Sequence, residues 1–334
     1  MRATRHGFVL VAALWLLVAL GAVGLDAAVR SKARRLPAAN LIDQTRARDA
    51  ALAGGAYAQS RLTAAQRQYE LAMRAEMQRR GVRAQRSTMQ PRQADNPWRE
   101  PAELMAASVA TGDLRFQLDV HDTGLTLNVN LATEDVLRAF FAQGLRLDYT
   151  VADALTHAIL DWRDEDDLPR VNGAEREQYL DENAVVLPAN RPFADVEELR
   201  YVLGMTPELL DAIRSFVRVI GSSRINVNAA PVEVLSALPG FTPAQWASFV
   251  RQRAAGRYPA NTAELRGMFG MSRGRGPDET GRETQEFNRY ATFSTSEVTI
   301  ISEGRIDESP VRARATLIVV RSQTGAVVVW RRVE

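Results

Sequence analysis

The chain has 334 residues and a formal net charge of +2, which is length enough for about two domains. A content of 46% hydrophobic and 25% charged residues is that of a globular protein and excludes wholesale disorder. With no cysteine and only His6, His121 and His157, the chain has no disulfides, thiolate metal sites, cysteine nucleophiles or polyhistidine centres, so any metal chemistry must use oxygen ligands.

Phe8 to Leu25 is an uncharged apolar run, preceded by Arg2 and Arg5 and followed by Asp26, Arg30, Lys32, Arg34 and Arg35. Eighteen helical residues extend about 27 Å, close to the hydrocarbon thickness of a bilayer, which predicts a membrane-spanning segment over residues 8–29. The apolar run is longer than the core of an ordinary secretory signal and the helix-forming pattern continues past Val29 into an Arg-rich segment, so removal of the apolar run as a secretory signal is not expected. Gly7-Phe8 stands directly between the basic leader and the apolar run, and Gly offers a protease unobstructed backbone. The arrangement Arg5-His6-Gly7-Phe8-Val9-Leu10-Val11 resembles a type IV prepilin leader. That resemblance implies cleavage by prepilin peptidase after Gly7, removal of residues 1–7 and methylation of the new N-terminal Phe8. An uncleaved signal anchor is the alternative. Members of that class usually carry Glu at the fifth residue after the cut, where this chain has Ala12.

From Asp26 to about Arg80 the chain is rich in Ala, Arg and Gln, which predicts a continuation of the N-terminal helix with a kink at Pro37 and a weak point at Gly54-Gly55. Gln85 to Pro101 reads as a loop. Leu114, Phe116, Leu118 and Val120 alternate with polar residues. Asp122-Thr123-Gly124 then separates them from Leu125 to Val129, which predicts a hairpin. Strand signals resume near Thr292, with Val298 to Ile301, Arg312 to Arg321 and Ala326 to Arg332, the last pair turned by Gln323-Thr324-Gly325. The long interval between these regions is patterned as short helices with Pro-Gly punctuation.

The expected class is therefore α+β: a long N-terminal helix and a small antiparallel sheet interrupted by a large inserted helical domain. The expected divisions are residues 30–126 for the helix continuation, loop and first hairpin, 127–290 for the insertion, and 291–334 for the C-terminal strands.

The insertion shows internal similarity. Leu127-Asn128-Val129-Asn130 with Asp135-Val136-Leu137 matches Ile225-Asn226-Val227-Asn228 with Glu233-Val234-Leu235, and Ala194 to Met205 matches Ala260 to Met271. These asparagines precede helices and are read as turn and cap residues. Leu238-Pro239-Gly240-Phe241-Thr242-Pro243 and Leu203-Gly204-Met205-Thr206-Pro207 look like helix-hairpin-helix turns. Residues 101–334 carry 25 basic and 33 acidic side chains, a balance unsuited to phosphate, so nucleic acid is not an expected partner.

Residues 151–200 hold 13 acidic and 5 basic side chains. Asp164 and Asp166, one residue apart in a loop, can converge on one hard cation with Glu175 closing from the next turn, although Gly and Glu do not stand at EF-hand offsets. A solvated acidic loop is the alternative. No P-loop or His-Glu-x-x-His occurs, and a hydrolase using Asp161 and Asp164 is the catalytic reading that the acidic segment offers.

The leader, Ala12, the acidic stretch Ile159 to Tyr179 and the Asn-Val-Asn repeats, in this order, resemble the general secretion pathway protein K family, minor pseudopilins of the type II secretion system. The resemblance implies a non-enzymatic component at the tip of a periplasmic pseudopilus, held in the inner membrane by one span. It also implies minor pseudopilins I and J as partners and a structural Ca²⁺ in the helical domain. A membrane-anchored periplasmic DNA receptor of the competence type, using the hairpin turns, is the alternative.

Overall fold

The computed structural model describes residues 5–80, 98, 101–271 and 279–334. A single helix, α1, runs from Arg5 to Arg80 without interruption at Pro37 or at Gly54-Gly55. The expected weak point at the two glycines is corrected by the packing. A Cβ on Gly54 would overlap Ser302 Oγ, and one on Gly55 would lie 2.7 Å from Leu317 Cδ1. Their role is close approach of helix to sheet, and tertiary contact outweighs their helix propensity. From the opposite side a Cβ on Gly304 would overlap the Ala47 carbonyl and the Ala51 backbone nitrogen.

The sheet that receives α1 has five antiparallel strands in the order β1-β2-β7-β8-β9. These are β1 (Ser108–Thr111), β2 (Leu114–Asp122), β7 (Glu297–Ile306), β8 (Arg312–Ser322) and β9 (Gly325–Val333). Leu118, Val120, Val298, Ile300, Ala315, Leu317 and Val319 face α1 and bury Ala47, Ala51, Ala58 and Leu62 in one core. The period of two along each strand puts one apolar face against the helix, and the opposite face mixes polar residues with Ile301, Ile318 and Trp330. β8 and β9 form where the alternation placed them, joined at Gly325, whose φ of +132° suits glycine. The expected loop over residues 85–101 lies largely outside the described residues.

The hairpin expected across Asp122-Thr123-Gly124 does not form. β2 pairs instead with β1, unread in the sequence, and with β7. Asp122 accepts the Gly124 N–H at 2.7 Å and starts a 3₁₀ turn, Thr123–Leu125, that carries the chain out of the sheet. The chain returns only at Glu297, so residues 123–296 leave and re-enter between two adjacent strands. Both crossings meet at a buried polar junction: Asp122 Oδ2 accepts from Asn226 Nδ2 at 2.6 Å and from Thr295 Oγ1 at 2.7 Å.

Residues 123–296 hold a second core and two similarly built units. In the first, β3 (Leu127–Asn128) pairs in parallel with β4 (Val217–Arg218); in the second, β5 (Ile225–Asn226) pairs in parallel with β6 (Ala291–Thr292). The first unit contains α2 (Glu134–Ala139), α3 (Tyr149–Arg163), α4 (Arg176–Asp181) and α5 (Pro207–Ile213). The second contains α6 (Val232–Leu235), α7 (Pro243–Ala254), α8 (Thr262–Met268) and α9 (Glu279–Tyr290).

The asparagines do the same work in each unit. Asn130 Nδ2 donates to the carbonyls of Phe193 and Val219, both at 2.8 Å, and Asn228 Nδ2 donates to those of Pro259 at 2.9 Å and Phe293 at 2.8 Å. Arg163 donates to the carbonyls of Val129 and Ala132, and Arg253 to those of Val227 and Ala230. Gly204 and Gly240 have φ of +84° and +85° and precede helices capped by Thr206 and Thr242. Phe241 packs against Trp246, Phe269 and Phe287, so its turn serves the core.

Candidate functional site

The acidic loop begins where α3 ends. Asp164 is its C-cap, its N–H donating to the Leu160 carbonyl at 3.1 Å, and the loop closes at Glu175, the N-cap of α4. Asp161, in the last turn of α3, is fully buried. Its two oxygens accept from Arg170, from the guanidinium at 2.5 Å and from the backbone N–H at 3.1 Å. The same Arg170 nitrogen reaches Asp164 Oδ2 at 2.6 Å. Arg170 therefore folds the loop back on the helix end, and Gly173 allows it, because a Cβ there would overlap Asp161 Oδ2. Around this hinge Trp162 stacks on Phe193 at 5.9 Å and tilts against Tyr179 at 5.8 Å.

This fold brings Asp164, Asp166 and Glu175 together, one carboxylate oxygen of each lying within 4.8 Å of the others. Glu175 is 2% exposed, and among the described residues neither of its carboxylate oxygens has a hydrogen-bond partner, nor has Asp164 Oδ1. Burial, reinforced by Asp161, Asp164 and the other carboxylates of the loop, pushes the Glu175 carboxyl up to about 7. Buried carboxylate oxygens without donors are costly unless a proton or a cation satisfies them. The donor set is all hard oxygen, so it fits Ca²⁺ in chemistry, and the orphaned oxygens supply the positions such an ion would take.

Comparison of the two units isolates this loop. In the second unit only residues 254–258 separate Arg253 from Pro259, whereas in the first residues 164–192 separate Arg163 from Phe193. The unit thus closes without an acidic loop, and the carboxylates are an addition to its scaffold.

The other sequence candidates fall elsewhere. Gly7, Phe8 and Ala12 lie in α1, but their side chains are outside the described residues, as are those of most of the apolar run. Leu14, Trp15, Leu16, Leu17, Val18 and Leu20 are exposed. Among the described residues, no helix is long and apolar enough to cross a membrane. Asp161 and Asp164 do not form a carboxylate pair open to substrate, since Arg170 bridges them and Asp161 is fully buried. His157 is buried, with its ring nitrogens 3.5 Å from Asp153 and 3.3 Å from Glu134. The sequence reading missed Arg170 and Gly173 as organisers of the loop; the Asn172-Gly173 turn dipeptide was the available signal.

Helix on sheet, with a two-unit helical segment issuing between adjacent strands and an acidic loop on the first unit, defines the class structurally. Residues 124–222, which span that first unit, match the family described as Type II secretion system (T2SS), protein K. Type II secretion system protein K of Klebsiella pneumoniae is 34% identical over 27% of this chain and 28% of its own length. That of Pseudomonas aeruginosa is 29% identical over 48% of this chain and 54% of its own. The chain thus spans between about a quarter and about half the length of the curated relatives it matches. In fold it matches a chain of the GspK-GspI-GspJ complex from the enterotoxigenic Escherichia coli type 2 secretion system, with a TM-score of 0.58 and 17% identity over 91% of this chain and 99% of that one. Over residues 124–222 the chain is similar to type II secretion system protein K.

Proposed function

We propose that the chain is a minor pseudopilin of a type II secretion system, a non-enzymatic structural component at the periplasmic tip of the pseudopilus that supports protein export across the outer membrane. The observation that carries this reading is a fold match running almost end to end to a chain solved together with GspI and GspJ. The pilin-like part is α1 with its five-stranded sheet, and the inserted domain is the two-unit segment between β2 and β7. The apolar beginning of α1 is the inner-membrane span, supported by the exposure of Leu14 to Val18, with the remainder in the periplasm. Prepilin peptidase cuts between Gly7 and Phe8, and Phe8 is then methylated. The partners are minor pseudopilins I and J.

Asp164, Asp166 and Glu175 hold a structural Ca²⁺ on this reading. The ion supplies positive charge that offsets the mutual repulsion of these carboxylates and fixes the loop between α3 and α4.

The test is co-purification of the full chain, extracted in detergent, with minor pseudopilins I and J. A stable ternary complex whose K subunit begins at Phe8 is expected. A chain still beginning at Met1, or one that ignores both partners while binding DNA at near-physiological salt, overturns the reading.

A further inference from the structure

The sheet face turned away from α1 is not flat surface throughout. Where the first helical unit leans over it, a cleft of about 470 Å³ opens, within the usual range for ligand sites. Its floor comes from alternate residues of three strands: Ile301 on β7, Thr316 and Ile318 on β8, and Trp330 on β9. Register sets Ile318 beside Trp330 and Ile301 beside Thr316, so the floor is one apolar strip with a hydroxyl along it.

The charge around this floor is unbalanced. Arg214, Arg218, Arg314 and Arg332 line the cleft against Asp195 and Glu334. Arg332 is taken by Asp195 at 3.1 Å and by Glu334 at 2.6 Å, and Arg214 by Asp211 at 2.7 Å. Arg314 is exposed and makes no side-chain hydrogen bond or ion pair among the described residues. Arg218 is engaged: its guanidinium donates to the carbonyls of Thr123, Thr126, Ser222 and Arg224, and Glu297 and Asp122 lie close enough to offset its charge. The Arg314 guanidinium thus borders an apolar floor without a contacting anion among the described residues, an arrangement that favours a carboxylate carried on an apolar body.

The cleft also reaches an open edge. β9 ends the strand order, and beyond Ala326, whose backbone is bonded to Gln59 and Thr63 of α1, no strand pairs with its outer side among the described residues. Glu334 exchanges both backbone bonds with Arg314. The antiparallel alternation therefore turns the N–H and C=O of Arg331 outward, while Trp330 and Arg332 face the cleft.

From this geometry we infer that the cleft and the β9 edge together form a docking site for an extended acidic segment of another protein chain. The segment adds to β9 as a strand, lays an apolar side chain on Trp330, and sets a flanking carboxylate at Arg314. The inference rests on the cleft alone and does not depend on the assignment as a minor pseudopilin.

The test uses the full chain in detergent and a fluorescein-labelled heptapeptide, Thr-Glu-Thr-Leu-Thr-Glu-Thr, which presents Glu, Leu and Glu on one strand face, read by fluorescence anisotropy. Binding is expected, with the Gln counterpart of the peptide weaker by about tenfold. Arg314→Gln, an exposed substitution, and Arg331→Pro, which removes an outward N–H without touching the β8 ladder, are each expected to weaken binding about tenfold at unchanged melting temperature. Arg257→Gln, outside the cleft, leaves binding as it is. No anisotropy change up to about 1 mM peptide, equal binding of the Gln peptide, or wild-type binding by either Arg314→Gln or Arg331→Pro overturns the inference.

Discussion

Glu175 sets burial against charge at a single carboxyl. Its folded value of about 7 stands above its ordinary 4.5, so without a cation the native state holds the proton more tightly than the unfolded chain does. The stability this contributes is full below about pH 4.5 and is lost as pH rises through about 7. At pH 8 with chelator, Glu175→Gln is therefore expected to raise the melting temperature, and at pH 4 to leave it nearly unchanged. Ca²⁺ at about a hundredfold excess over Kd would stabilise the wild-type chain by about 2.7 kcal/mol, and Glu175→Gln should lose most of that response. A scanning-fluorimetry series in pH and Ca²⁺ checks both expectations; a wild-type melt indifferent to chelator leaves the loop a solvated acidic surface. Gly173→Ala tests the hinge beneath the site. Its Cβ overlaps a carboxylate oxygen that Arg170 holds in place, so a loss of about 2–4 kcal/mol in denaturant unfolding is expected.

At the scale of elements, the contact of α1 with the sheet depends on having no side chain at three facing points. Gly54 and Gly55 on the helix make room for the side chains of Ser302, Phe116 and Leu317, and Gly304 on β7 lets the strand approach the α1 backbone at Ala47 and Ala51. Gly304→Ala sets a methyl against α1 backbone, which cannot move aside as a flexible side chain would. It is expected to cost about 3 kcal/mol or more and to expose residues 44–66 of α1 to limited proteolysis, while the helical units stay protected. The alternation of Val298 to Ile301 and Arg312 to Arg321 was legible because each strand shows the sheet's two faces in its own residues. The role of the glycines was not, because a helical pattern contains no information about what approaches it, and in isolation two glycines read only as poor helix formers.

For the whole molecule, the two helical units offer an internal control. The second closes through residues 254–258 where the first carries residues 164–192. Replacing 164–192 by the shorter connection is expected to leave a folded chain with a lower melting temperature, since Tyr179 no longer covers Trp162, and to abolish any Ca²⁺-induced shift in thermal unfolding. The proposed place in the filament makes a separate prediction. A helical segment issuing between β2 and β7 widens the subunit, and Ala12 stands where the prepilin class usually carries Glu, so on the proposed reading labels should gather at one end of pseudopili. Ala12→Glu should bring no gain in assembly, because an unpaired carboxylate in the apolar segment is a cost. Immunogold labelling at regular intervals along the filament would refute the tip placement.

The sequence by itself determined the long N-terminal helix, the C-terminal strands, the Asn-Val-Asn duplication and the three carboxylates Asp164, Asp166 and Glu175. Each of these is written in local periodicity, in repetition or in residues close along the chain. Only the tertiary structure decided that Asp122-Thr123-Gly124 leads out of the sheet, because the partners that hold that exit, Asn226 and Thr295, are far away in sequence. The same holds for Arg170 as the clasp of the acidic loop and for the cleft beside β9, whose floor is assembled from three strands and whose wall comes from the first helical unit. Side-chain pattern sets which face a residue occupies; which surfaces then meet is settled by the packing of the whole chain.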